Sequence, residues 1–153
     1  MSTRCQIRFV DKFNDISQIY QHSDGYPDSK NGVIQNLKDF FDWYYNEPMG
    51  KSGDSSYAAA DYIYFMKKKF YGSKEMSDNG YDKLGFGVEN VGKIHGDEEY
   101  LYIVDMSDAK TPNEIKIYIS SDFNEKSGFN TKKWEFSGTL KNAYKKFVLT
   151  KPK

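Results

Sequence analysis

The residue types that carry much protein chemistry are scarce in this chain of 153 residues. A single cysteine excludes an internal disulfide framework. No run approaches the roughly 18 consecutive apolar residues that a membrane helix needs, so no membrane partner is expected. Lys and Arg together number 22, as do Asp and Glu. The resulting net charge of zero disfavours both a nucleic-acid partner and an acidic tail protein.

The N-terminus lacks the apolar run of about 7 to 15 residues that a signal peptide needs, so a cytoplasmic location is expected. Leu, Ile, Val and Phe make up only about a fifth of the chain, but aromatic residues reach 17%. Each buried aromatic ring removes roughly 150 to 250 Å² from water. A small aromatic core can therefore stabilise this length of chain, and residues 1–153 are predicted to form a single α+β domain.

Hydrophobic periodicity predicts the order β-β-α-α-β-β-β, followed by an ambiguous tail. The predicted strands are residues 3–10, 16–22, 84–88, 99–106 and 114–120, and the predicted helices are residues 31–47 and 55–71. In the tail, residues 133–138 fit a strand and 140–148 fit a short helix. This order predicts an antiparallel sheet of about five strands, with two helices packed on one face.

The two histidines each begin an H-x-D motif, in His22 to Asp24 and in His95 to Asp97. In an extended segment, residues i and i+2 point the same way, so each motif would project an imidazole beside a carboxylate. Together these four side chains would form a shell for a divalent metal such as Zn²⁺, Mn²⁺ or Fe²⁺. The acidic run 97–99 would either help to bind a cation or mimic an acidic partner surface. The alternative is that each Asp caps a turn and each His lies at the surface.

Cys5 is the second candidate for chemistry, because it lies on the predicted inward face of the first strand. If the turn after that strand holds an even number of residues, Cys5 and His22 share a face. The pair would then be the catalytic thiol and base of a hydrolase. The alternative is that Cys5 is a small buried hydrophobe.

The only two arginines, Arg4 and Arg8, lie on one face of the first predicted strand. The planar guanidinium fork can clamp an internal carboxylate or a bound anion, which lysine cannot do. An ion pair that fixes the sheet is the alternative.

Two segments resemble a family of small uncharacterised prokaryotic and phage proteins. These are Ser2-Thr3-Arg4-Cys5 followed by residues 20–27, which contain H-x-D-G-Y-P, and the segment 95–102. The resemblance implies a mobile-element or bacterial cytosolic context and no mechanism. The resemblance draws attention to several positions that the motifs also mark. Four of them are predicted to be binding residues, namely Thr3, Arg4, Asp24 and Tyr26.

Small size, zero net charge and abundant tyrosine predict a binding or regulatory module that acts on a protein partner. The alternatives are a metal-dependent hydrolase or nuclease that uses the two H-x-D motifs, and a thiol hydrolase that uses Cys5 and His22. The sequence leaves the choice between enzyme and binding module open, and it does not specify an oligomeric state.

Overall fold

Eight strands and three α-helices form over the residues that the computed structural model describes, which are 3–48, 50, 53–70 and 85–150. The strands are β1 (Cys5–Val10), β2 (Ile16–Gln21), β3 (Phe86–Glu89), β4 (Tyr100–Asp105), β5 (Lys116–Ser120), β6 (Phe123–Asn124), β7 (Gly128–Phe129) and β8 (Phe136–Thr139). The helices are α1 (Val33–Tyr44), α2 (Ser55–Phe70) and α3 (Leu140–Tyr144), with a 3-10 turn at Pro112–Glu114 and a π-helical turn at Lys145–Leu149.

The predicted α+β class and the mostly antiparallel sheet are confirmed. The main sheet has six strands in the order β3-β2-β1-β4-β5-β8, whereas about five were predicted. The prediction of a purely antiparallel sheet is wrong, because β1 and β4 run parallel. The tail forms both a strand, β8, and a helix, α3. The predicted strand start at Leu84 and helix end at Tyr71 lie outside the described residues.

The hydrophobic core lies between one face of this sheet and the helices. Alternate residues of β1, namely Cys5, Ile7 and Phe9, are fully buried on that face. The helical spacing of α1 and α2 turns apolar side chains towards them, and α3 adds Leu140 and Ala143 to the same cluster. Three helices therefore cover the face for which two were predicted.

On the opposite face, the side chains of β1 and β2 are largely polar, and residues 90–99, here called the crossing segment, pass over these two strands. β3 lies at the sheet edge beyond β2, so the chain must pass over β2 and β1 to begin β4. Two glutamines on the sheet anchor the passing backbone. Gln6 Nε2 donates to the Lys93 carbonyl at 2.6 Å, and the Gly92 amide donates to Gln18 Oε1 at 3.2 Å.

The short β6–β7 hairpin approaches the crossing segment at Ile94. Gly128 has a positive φ of 78°, and a side-chain carbon there would lie 3.3 Å from Cγ1 of Ile94. Glycine at this position therefore meets both the backbone and the space requirement. The polar face of the sheet is thus partly enclosed.

A buried carboxylate joins the β1–β2 turn to the start of α2. Asp11 is 1% exposed and accepts hydrogen bonds from the backbone amides of Ser55 at 2.8 Å and Phe13 at 2.9 Å, and from that of Asp15 at 3.1 Å. Burial opposes ionisation, but these amide donors hold the pKa of Asp11 below its ordinary value.

The Asp11→Ala variant is expected to lower the free energy of unfolding by about 2 kcal/mol, because it leaves the three amides without their acceptor. Asp15→Ala is the matched control, since the Asp15 side chain is exposed and only its backbone groups bond to Asp11. Urea denaturation of both variants measures the difference. Equal losses in the two variants would contradict this role of Asp11.

Candidate metal centre

Three side chains that can ligate a metal meet where the crossing segment lies over the polar face. Glu89 is the last residue of β3, and His95 and Glu98 belong to the crossing segment. One potential ligand atom from each lies within 4.8 Å of the others. Ligand atoms around an ion with bonds of about 2.0 to 2.2 Å lie roughly 3 to 4 Å apart. Glu98 Oε1 and His95 Nδ1, 3.8 Å apart, have this spacing, whereas Glu89 Oε2 and His95 Nδ1 are in direct contact and would move apart to admit an ion. Over the described part of the chain, no second cluster of three such residues occurs.

Glu98 is the most deeply buried residue of the cluster. The residue is 4% exposed, and neither of its carboxylate oxygens has a hydrogen-bond partner. Its Oε1 lies 3.8 Å from Nδ1 of His95. Because a buried carboxylate without compensation is costly, its environment favours the protonated form. Burial, reinforced by the Glu89 charge and opposed by Arg8, raises the pKa of Glu98 to about 8.

Glu89 is held so that one oxygen binds the sheet and the other faces the cluster. Its Oε1 accepts hydrogen bonds from Nε2 of Gln6 and of Gln18, both at 3.0 Å. Its Oε2 lies against Nδ1 of His95. Arg8 Nε donates in turn to Gln18 Oε1 at 2.8 Å. Such outer hydrogen bonds are what orient carboxylate ligands in metal sites.

His95 is the partly exposed member of the cluster. Its ring stacks on Tyr20 with the ring centroids 4.1 Å apart and the planes 17° from parallel. The His95 side chain is 34% exposed, whereas the side chains of Glu89 and Glu98 are 3% and 0% exposed. The exposed part of His95 is not its ligand atom, because Nδ1 is buried together with Glu89 Oε2 and both carboxylate oxygens of Glu98.

The shell predicted from the two H-x-D motifs is not the cluster that the structure forms. Of its four members only His95 belongs to the cluster, while His22, Asp24 and Asp97 lie outside it. Both aspartates have positive φ angles, 58° at Asp24 and 62° at Asp97. Neither segment is extended there, so the rule that residues i and i+2 point the same way does not apply.

The aspartates of the two motifs have other partners. Asp97 forms an ion pair with Arg4 at 3.3 Å and its side chain is 80% exposed. Asp24 accepts a hydrogen bond from the Tyr26 hydroxyl at 3.1 Å. Thr3, the last of the predicted binding residues, contributes its backbone carbonyl to the Gly25 amide at 2.9 Å. Asp24, Tyr26 and Thr3 therefore contribute to the packing of the 22–27 loop against the start of β1.

Cys5 and His22 do not form the predicted catalytic pair. The β1–β2 turn holds residues 11–15, an odd number, and the register pairs Cys5 with Gln21. His22 therefore faces the opposite side of the sheet from Cys5. Cys5 is fully buried in the core, and burial, with a smaller effect of the Glu98 charge, raises the pKa of its thiol. A raised thiol pKa is the opposite of what a cysteine nucleophile needs.

Sequence reasoning missed Glu89 as a ligand and missed the two glutamines that hold it. Gln6 and Gln18 are 2% and 1% exposed, although both occupy the polar positions of alternating strands. The acidic run 97–99, which the sequence marks as a candidate for cation binding, contributes Glu98 to this cluster.

No family model, no curated protein and no solved structure matches the chain. The resemblance to small prokaryotic and phage proteins and the binding of a protein partner therefore stay predictions. Among the helices described, none is long and apolar enough to cross a membrane.

Proposed function

We propose that the chain binds one divalent transition-metal ion between Glu89, His95 and Glu98. The observation that carries the proposal is the carboxylate of Glu98, which is buried, aimed at the other two ligands and without a hydrogen-bond partner. A cation at this position would neutralise the charge of both buried carboxylates and would lie next to Nδ1 of His95.

The donor set favours particular ions. Two carboxylates and one imidazole suit Mn²⁺, Fe²⁺ or Zn²⁺, whereas Mg²⁺ prefers oxygen ligands and gives up its water reluctantly. Three protein ligands leave further coordination positions free for water or another ligand. An ion with free positions can polarise a bound group and activate a bound water. The site therefore supports the metal-dependent hydrolase among the functions that the sequence leaves open.

Calorimetric titration of the metal-free chain, produced without a histidine tag, tests this function. We expect Mn²⁺ and Zn²⁺ to bind with one ion per chain and Mg²⁺ to bind far more weakly. His95→Asn should lose this binding, whereas His22→Asn should retain it, because His22 lies outside the cluster. The pair is a matched test of which histidine is a ligand. No saturable binding by the wild type, or equal binding by the two variants, would contradict the proposal.

A further inference from the structure

The His95 side of the cluster adjoins polar side chains at the start of β1 and the end of β2. The antiparallel register pairs Gln6 with Tyr20 and ends at Cys5 with Gln21, so continued alternation places Arg4 and His22 on the face of Gln6 and Tyr20. Arg4, Tyr20 and His22 thus share the polar face with the cluster. The Tyr20 ring stacks on His95, and its hydroxyl shares a hydrogen bond of 3.0 Å with Nδ1 of His22.

Arg4 has donor capacity that its own contacts do not use. Its guanidinium forms an ion pair with Asp97 through one nitrogen, at 3.3 Å, and its Nε is buried without a hydrogen-bond partner. Asp97 is 80% exposed, and an exposed ion pair of this kind contributes little free energy. An anion can therefore compete with Asp97 for the guanidinium.

The guanidinium of Arg4 lies close to the cluster. Its ion-pair partner Asp97 stands between His95 and Glu98 in the crossing segment, and Tyr20, on the same strand pair, stacks on His95. Without a cation, the Glu89 carboxylate repels an anion from the cluster. A metal ion reverses the sign of that field, so an anion should bind here only after the metal.

We propose that the free coordination positions of the metal take a phosphoryl group, with Arg4 as its guanidinium clamp and with Tyr20 and His22 beside it. The inference rests on the metal site proposed above and assigns its substrate class as phosphate esters. Arginine favours this assignment because its planar fork matches phosphate oxygens with two parallel hydrogen bonds. The arrangement joins a Lewis acid and a guanidinium on one oxyanion, which is how phosphoryl groups are commonly held.

Water-proton relaxation of the Mn²⁺-loaded chain tests this assignment, with inorganic phosphate as the probe. Mn²⁺ with open positions relaxes exchanging water, and we expect phosphate to lower that relaxation saturably by replacing the water. Arg4→Gln should weaken the phosphate affinity by about tenfold or more without weakening Mn²⁺ binding. Arg4→Lys keeps the charge but lacks the fork, so its phosphate affinity should lie between those of the wild type and Arg4→Gln. Lys93→Gln is the matched control, because Lys93 is exposed and binds the sheet through its backbone carbonyl.

The possible results distinguish a failure of the phosphate assignment from a failure of the metal site. Unchanged phosphate affinity in Arg4→Gln, or no effect of phosphate on the Mn²⁺-loaded wild type, overturns the phosphate assignment and leaves the metal site standing. Acetate that acts as strongly as phosphate and depends equally on Arg4 also overturns it, since the site would then be a general carboxylate site. A wild-type chain that does not bind Mn²⁺ contradicts the metal site and the phosphate site together.

Discussion

Glu98→Gln is expected to weaken the binding of Mn²⁺ and Zn²⁺ by at least about 100-fold, since loss of an outer partner alone commonly costs a factor of about 10 to 100. The amide removes the negative charge of the most deeply buried ligand while it preserves the size of the side chain. The remaining Glu89 and His95 would bind the ion with only two protein atoms. Competition of each variant with a chromophoric chelator measures the change.

Glu99→Gln provides the control for this effect. It removes one carboxylate from the adjacent residue, whose side chain is exposed and which binds Arg4 through its backbone amide at 3.0 Å. We expect its metal affinity to stay within about twofold of the wild type, because exposed charges are well screened. Similar losses in Glu98→Gln and Glu99→Gln would show that general acidity of the crossing segment, and not the buried carboxylate, attracts the ion.

Because of Glu98, the metal-free protein is expected to lose stability as the pH rises from about 4.5 to about 8. The folded state raises the pKa of Glu98 from an ordinary 4.5 to about 8 through burial, with the Glu89 charge adding to the effect and Arg8 opposing it. In this window the folded chain binds the proton more tightly than the unfolded chain does. The contribution of Glu98 to stability is therefore fully present below pH 4.5 and is lost as the pH rises through the folded pKa.

Urea denaturation in the presence of a chelator measures this loss. Relative to Glu98→Gln, whose amide does not titrate, the wild type should lose up to roughly 5 kcal/mol between pH 4.5 and pH 8.5, at about 1.4 kcal/mol per pKa unit. Saturating Mn²⁺ at pH 8.5 should restore stability to the wild type and not to the variant, since an ion that binds only the folded state stabilises it. Parallel stability curves for the two chains would contradict an ionisable, buried Glu98.

Much of the fold follows from local patterns in the sequence. The alternation in β1 places Cys5, Ile7 and Phe9 on the buried face, and helical spacing places Leu37 and Phe40 of α1 in the core. Strand order is a different matter, because it depends on contacts between distant segments. Nothing local to β3 or β4 indicates that the chain crosses over two strands between them, so the parallel β1–β4 pair could not be predicted.

The candidate site could be predicted only in part, because strand order also decides which residues meet there. His95 was identified by its chemistry, and the acidic run 97–99 by its charge, but Glu89 reaches the cluster only through the strand order. Gln6 and Gln18 have the pattern of solvent-facing strand residues and become buried only because the crossing segment covers them. A sequence pattern reports which face of a strand is polar, and it does not report what covers that face.

The central claim is that Glu89, His95 and Glu98 form one metal site, and anomalous diffraction from crystals soaked in Mn²⁺ tests it most directly. The account predicts a peak about 2.0 to 2.3 Å from Glu89 Oε2, His95 Nδ1 and one oxygen of Glu98. The peak should be absent from crystals of Glu98→Gln. A map of the soaked wild type with no peak between these three side chains, or with its peak at His22 and Asp24 instead, would contradict the account.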